Sequence, residues 1–391
     1  MSFQQGLSGL DAASVALDVI GNNIANASTV GFKSGNPHFS DVYAASLGLV
    51  GASQVGIGAN VSAIQQQFSQ GNVTTTDNPL DLAINGRGFF RMSNDGATTY
   101  TRNGQFHLDN QGYVINDQNL RLTGYVAANG VVSSTLGELQ LSASQIAPLA
   151  TSTVSLGLNL DAGQPAGYSY STALPVFDTL GESHVLTTSY VRTAAGPWDV
   201  SASLDNAVPA GSQPVGSLTF DSAGVLQTPQ PLTLPSWTPS NGAAAWTASL
   251  DLAGTTQYGS ESTVNTLEQN GYTTGSLLGI SVGDDGILQG RYSNQQTLNL
   301  GQVALATFAN PNGLLNLGNN QWTLTSASGP ELIAVAGSGG RGVLQSAAVE
   351  DSNVDLTNAL VEQIIAQRNY QANAQTIKTQ DAIIQTLLSL R

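Results

Sequence analysis

The sequence predicts a mainly β fold with α-helical termini, in which nested, discontinuous β domains lie between N- and C-terminal segments of coiled-coil character. Three observations predict it. Asn-Gly pairs at Asn85, Asn103, Asn129, Asn241, Asn270 and Asn312, and Asp-Gly pairs at Asp95 and Asp285, all fall in the interior of the 391-residue chain. Asn, Asp and Gly tolerate positive φ, so these pairs favour tight hairpin turns. Apolar residues at both ends recur instead at helical spacing, and a proline-rich stretch interrupts the turn-rich interior.

The elements follow in order. Over residues 3 to 24, Phe3, Leu7, Leu10, Leu17 and Ile24 share one heptad frame, with Ser14 and Gly21 at intervening places. Residues 34–70, with Gly48, Gly51, Gly56 and Gly58, read as an extended connector. β-prone runs follow at Gly88–Met92, Tyr113–Ile115, His184–Val191 and Gln302–Phe308. Nine prolines punctuate residues 149–255, from Pro165 through Pro209 to Pro239, which suits edge strands and turns of a separate inserted outer β domain. The β core is then 71–148 with 256–350. Near the end, Asp355 is placed to cap a helix in which Leu356, Leu360, Tyr370, Ala374, Ile377, Ile384 and Leu388 share a frame interrupted by Gln363, Gln367 and Asp381. Residues 1–33 and 356–391 form a terminal helical polymerisation domain. Its stripes could pair with each other, pack on the β core, or be buried against copies of the same segments in neighbouring molecules; a lone hairpin with broken heptads is marginal in water, which favours the copies.

Composition excludes several function classes. Only 9% of residues are charged, and 11 Lys and Arg against 26 Asp and Glu give a net charge of -15. A polyanion would be repelled, so nucleic acid and acidic membrane surfaces are poor partners. No apolar run is long enough to insert in a bilayer. The chain has no cysteine, hence neither disulfides nor thiolate sites. The first basic residue is Lys33, so a cleavable secretory signal is not expected, and the chain either stays inside the cell or leaves by another route.

Candidate chemistry is sparse. Gly279-Ile280-Ser281-Val282-Gly283 matches a nucleophile elbow, but His38, His107 and His184 all precede the serine, whereas that fold needs the histidine after it. The segment reads as a strand ending at the Asp284-Asp285-Gly286 turn. Gly337-Ser338-Gly339-Gly340-Arg341-Gly342 matches a dinucleotide loop, yet no helix follows and no βαβ unit surrounds it, so it reads as a glycine turn between strands. The histidines are too dispersed for a zinc motif. Catalytic, cofactor-binding and metal-ligating residues are therefore all expected to be none.

The stretch from Asn22 to Lys33, with Asn22, Asn23, Ala25, Asn26, Thr29, Gly31, Phe32 and Lys33, resembles the N-terminal motif of the bacterial flagellar rod and hook axial family. Asn78-Pro79-Leu80-Asp81, Tyr100-Thr101-Arg102-Asn103-Gly104, Ser352-Asn353-Val354-Asp355-Leu356 and Gln367-Arg368-Asn369-Tyr370 look like further segments of it, and together with Asn270-Gly271-Tyr272, Asp284-Asp285-Gly286 and Leu300-Gly301-Gln302-Val303-Ala304 they resemble its hook members more than its rod members. Two departures stand out: Gln295 follows Ser293-Asn294 where a glycine is expected, and the approach Gln345–Glu350 lacks the expected Gly and Leu. The resemblance implies a subunit exported through the flagellar channel, with its termini in an inner helical tube. Its homopolymer would be the curved hook outside the cell, a universal joint between rod and filament. It also implies contacts with rod, hook cap, hook–filament junction proteins and the export apparatus. A distal rod subunit and an extracellular β-rich glycan-active enzyme are the alternatives.

Overall fold

The computed structural model describes residues 2–42, 56–94, 96–141, 145–208 and 213–389. The Asp95 turn, Gly48, Gly51 and Pro209 lie outside the described residues. Among the described residues two helices, α1 (Ser2–Ala25) and α2 (Leu356–Ser389), stand at the ends, and the elements between them are strands apart from one short 3-10 turn at Pro311–Gly313. No helix among the described residues is long and apolar enough to cross a membrane.

The chain divides into two compact units. The first comprises residues 1–142, 279–290 and 297–391; the second comprises 143–278 and 291–296. In the first unit, the long strand Thr297–Thr307 pairs antiparallel with Arg121–Ala128, Phe89–Asn94 and Leu332–Val335 within a large sheet. Leu82, Ile84, Phe90, Met92, Leu122, Val303 and Leu305 fill its core. A second cluster of aromatic side chains, Phe89, Tyr100, Phe308 and Trp322 with Phe68 against them, packs edge to face at ring separations of 4.7 to 5.8 Å.

The second unit is built from two four-stranded sheets. Along Trp198–Leu204 every other residue is buried, the period-two pattern of a strand with one face on the core. Trp198, Val200 and Leu204 thereby meet Leu156, Leu158 and Leu250 of the other sheet in one core. The unit extends well past the expected boundary at 255. Thr263–Gln269 pairs antiparallel with Thr153–Asn159, so the returning chain is stitched to the strand that opened the unit, and proline density, which ends at Pro239, carries no trace of that pairing.

Residues 34–70 are not simply extended. β1 (Gly35–Val42) and β2 (Gly58–Gln66) pair in an antiparallel ladder with a shift at His38 and Phe39. Both strands are largely solvent-facing and therefore lack the hydrophobic alternation that would have revealed them. Several of the expected turns form: Asn129 (φ +50) and Gly130 (φ +79) join two paired strands, and Gly337, Gly339 and Gly340 at positive φ separate Leu332–Val335 from Val343–Ser346; the Asn103-Gly104 and Asn270-Gly271 pairs instead carry neither a turn nor a positive φ. Strand Leu277–Val282 ends at the Asp285-Gly286 turn. At the two departures from the family pattern, Gln295 (φ +64) and Ala347 (φ +51) occupy backbone that glycine adopts at least cost.

Candidate assembly interface

α1 carries small residues where it meets α2. Gly6, Ala13 and Ile20, seven apart, are buried, and Gly9, Ala16 and Asn23 repeat the spacing on the same side. A Cβ on Gly9 would lie 2.8 Å from the Asn373 side chain, and one on Gly6 3.0 Å from Ile377. Glycine thus lets the two helices approach. On α2 the matching face runs Ala359, Gln363, Ala366, Asn373, Ile377, of which Ala359 and Ala366 are buried and cluster with Ile20, Leu17 and Ile24. Asp355 caps α2, its Oδ1 accepting the N–H groups of Thr357 (2.9 Å) and Asn358 (3.1 Å).

The expected stripe residues divide between two faces. Leu10, Leu17, Ile24, Ala374 and Ile377 are half-buried. Phe3, Leu7, Leu356, Leu360, Tyr370, Ile384 and Leu388 are exposed, as are Val361, Ile364, Ile365 and Ile383, which the heptad frame had not included. The frame had found only one half of the inner seam, Gln363 and Ile377. The other half, Ala359, Ala366 and Asn373, is small or polar, and its seven-residue spacing was the available signal. The pair of helices therefore closes one narrow face and presents an apolar second face to solvent.

Below the helices the Asn22–Lys33 motif fastens them to the first unit's strands. Asn23 behaves like a strand residue: its Nδ2 donates to Gly35 O (2.8 Å) and its Oδ1 accepts Gly35 N–H (2.9 Å), tying the last turns of α1 to β1. Asn26 donates to Asn22 Oδ1 (2.7 Å) and accepts from Thr29 Oγ1 (3.1 Å), closing the helix end on itself; Ala25 ends the helix. Gly31 (φ +71) gives its N–H to Glu350 O, and a Cβ there would lie 2.5 Å from Asn103 N, so only glycine fits. The Phe32 carbonyl accepts the Asn353 N–H. Asn353 in turn accepts Ser34 N–H (2.8 Å) and donates to Gln67 O (2.7 Å), holding the entrance of α2 against both strands.

Lys33 reaches a node that the sequence did not reveal. Its Nζ donates to Glu350 Oε1 and to Ser69 O, each at 2.7 Å, with both charged side chains fully buried. Arg102 Nη1 donates to Glu350 Oε2 at 3.2 Å, and Gly71 N–H to Oε1 at 2.9 Å. Burial pushes the Lys33 ammonium below the usual lysine range against the pull of Glu350, and burial also lowers the Arg102 guanidinium. Three segments far apart in sequence meet at one carboxylate.

In the second unit Asp178, Glu182 and His184 offer ligand atoms within 4.8 Å of one another, a grouping that the dispersed histidines did not suggest. Their facing atoms are engaged with protein. His184 lies between Asp205 (Nδ1 to Oδ2, 2.6 Å) and Asp178 (Nε2 to Oδ2, 3.3 Å), while Asn241 Nδ2 bridges Asp178 and Glu182, at 2.6 Å from each.

Four family models match the chain in succession: "Flagella basal body rod protein" over residues 3–33, "Flagellar hook protein FlgE/F/G D1 domain" over 83–152, "Flagellar basal body protein FlaE D2 domain" over 140–272 and "Flagellar basal body rod FlgEFG protein C-terminal" over 345–390. The chain is 40% identical to the flagellar hook protein FlgE of Salmonella typhimurium over 413 aligned residues and to that of Escherichia coli over 410, covering 100% of both partners in each case. It is 29% identical to the flagellar hook protein FlgE of Treponema pallidum, covering 100% of this chain and 99% of that one. The crystal structure of Helicobacter pylori flagellar hook protein FlgE2 shares the fold at a TM-score of 0.54 and 12% identity, over 70% of this chain and 99% of that one. Full-length identity at this level, the ordered succession of domains and the paired terminal helices agree: the chain belongs to the flagellar hook protein FlgE family and is a hook subunit, placed in the flagellum outside the cell.

Proposed function

We propose that the chain polymerises head to tail into the curved hollow hook by burying the outward apolar face of its terminal helices against the same helices of neighbouring copies, and that the tube transmits torque as a universal joint. The observation that carries this reading is the second apolar face of α2, where Leu360, Val361, Ile364 and Ile365 are each 44% exposed or more although one face of the helix is already packed on α1. Exposed apolar surface of this extent is a mark of an interface. A contact that does not close into a ring generates a helical filament. The role is structural rather than catalytic. Rod, hook cap, hook–filament junction proteins and the export apparatus are the further partners in this reading. Electron microscopy of the purified polymer tests it: curved hollow tubes are expected, and straight tubes would assign the chain to the distal rod instead.

A further inference from the structure

The first unit holds a cavity of about 510 Å³, apart from the helix pair, walled by Phe68, Phe89 and Phe308. Two guanidinium groups line it. Arg102 is 3% exposed; its Nη groups are spent on Glu350, Ile84 O and Gly86 O, but its Nε is buried and has no hydrogen-bond partner among the described residues. Arg87, at the mouth, is exposed, and its side chain makes no hydrogen bond or ion pair with any described residue. Gly339 and Gly340 line the same mouth with consecutive positive φ (+57 and +77), and their N–H groups have no partner among the described residues. Successive N–H groups in that conformation form an anion-binding concavity. Apolar walls, an unpaired arginine and free backbone donors converge on one chemistry: a carboxylate carried by an apolar segment.

We propose that this cavity receives an Asp or Glu side chain of a second copy of this chain, in the polymer to which the preceding reading assigns it. Charge complementarity selects that occupant. The chain has 26 acidic against 11 basic side chains, so a neighbouring copy presents carboxylates in excess, while an unpaired arginine beside an apolar cavity is a scarce complement to them. The glycine turn, which matched a nucleotide-binding pattern in sequence, keeps side chains out of the mouth through which that carboxylate enters.

The test uses the full chain assembled into polymer. A photo-crosslinking benzoylphenylalanine placed at the exposed rim residue Ala309 is irradiated in the tube, and the products are mapped by mass spectrometry. The expected product joins Ala309's position to an Asp- or Glu-bearing peptide of a neighbouring subunit; no intermolecular product, or one with an acid-free peptide, overturns the proposal. In parallel, Arg87→Glu is expected to raise the critical concentration for polymerisation by about tenfold, with Arg87→Lys close to wild type. Unchanged polymerisation of Arg87→Glu also overturns it while leaving the assembly reading intact. Failure of the wild-type chain itself to form tubes would overturn that reading, and this inference with it.

Discussion

Lys33 shows how much of a residue's role lies outside its own neighbourhood. The motif around it is legible in the sequence, but its partner Glu350 is 317 positions away and carries no mark in a single sequence. Glu350 serves two buried cations, so the two sides of the node are unequal. Lys33→Met leaves Glu350 paired with Arg102 and is expected to cost about 3 kcal/mol, whereas Glu350→Ala strands both cations and is expected to cost about 5 kcal/mol. Urea unfolding of the monomers checks that order; equal costs would mean that Arg102 does not hold Glu350. His184 gives a pH dependence instead. Burial alone would lower its pKa, but the hydrogen bonds it donates to Asp205 and Asp178 outweigh it and raise the value above the ordinary 6.5. The resulting stability is fully present below 6.5 and is lost as pH rises through the raised folded value. Burial alone would raise Asp178, yet its bonds to Asn241, Glu182 N–H and His184 bring it down to about 2, so its own contribution survives until pH falls through that value. Asp205 and Glu182 also face the imidazole's surroundings, and Asp205 is likewise lowered. The second unit should therefore lose thermal stability as pH rises above 6.5, relative to His184→Gln; parallel profiles for the two proteins would exclude a charged His184.

At the scale of the element, α2 is legible in length and cap but only half legible in its faces. Its 34 residues give about 51 Å of helix, and Asp355 caps it as expected. Apolar spacing picks out large side chains, and in α2 the large ones point mainly to solvent while alanines make the inner seam. The rule that large apolar residues mark the buried face fails here because the helices close on glycine and alanine, which leaves Leu and Ile on the exposed face. The two faces can be separated by experiment. Ile364 and Ile365 are 51% and 52% exposed, so Ile364→Ser with Ile365→Ser should change monomer stability by no more than about 0.5 kcal/mol. In the polymer the same pair gives up about 3 kcal/mol of apolar burial per subunit, which raises the critical concentration roughly a hundredfold. Unimpaired assembly of that variant would mean that this stripe faces water in the tube as well. Strands β1 and β2 illustrate the complementary loss: exposed on both faces, they carry polar sequence, and nothing short of the ladder itself distinguishes them from a connector.

For the whole molecule, the order helix, strands, inserted unit, strands, helix is written in the turn dipeptides and the terminal periodicities, while the closing strand of the insert is not. What the structure adds is the way the termini are attached. The helix pair reaches the β strands through Asn23, Gly31, Lys33 and Asn353, and the charged part of that attachment, Lys33 with Glu350 and Arg102, lies entirely within residues 31–355. Removing residues 1–30 and 356–391 therefore deletes both apolar faces yet spares the buried node, the cores of the sheets and the aromatic cluster. The doubly trimmed chain is expected to stay folded, with its strand amides still protected in hydrogen exchange, and to remain monomeric at concentrations where the full chain forms tubes. Trimming one end alone should have the same effect on assembly, since either helix left behind loses the seam that orients its outer face. Were the trimmed chain to polymerise, the inter-subunit contacts would have to lie on the β units, and the exposed stripe of α2 would need another partner.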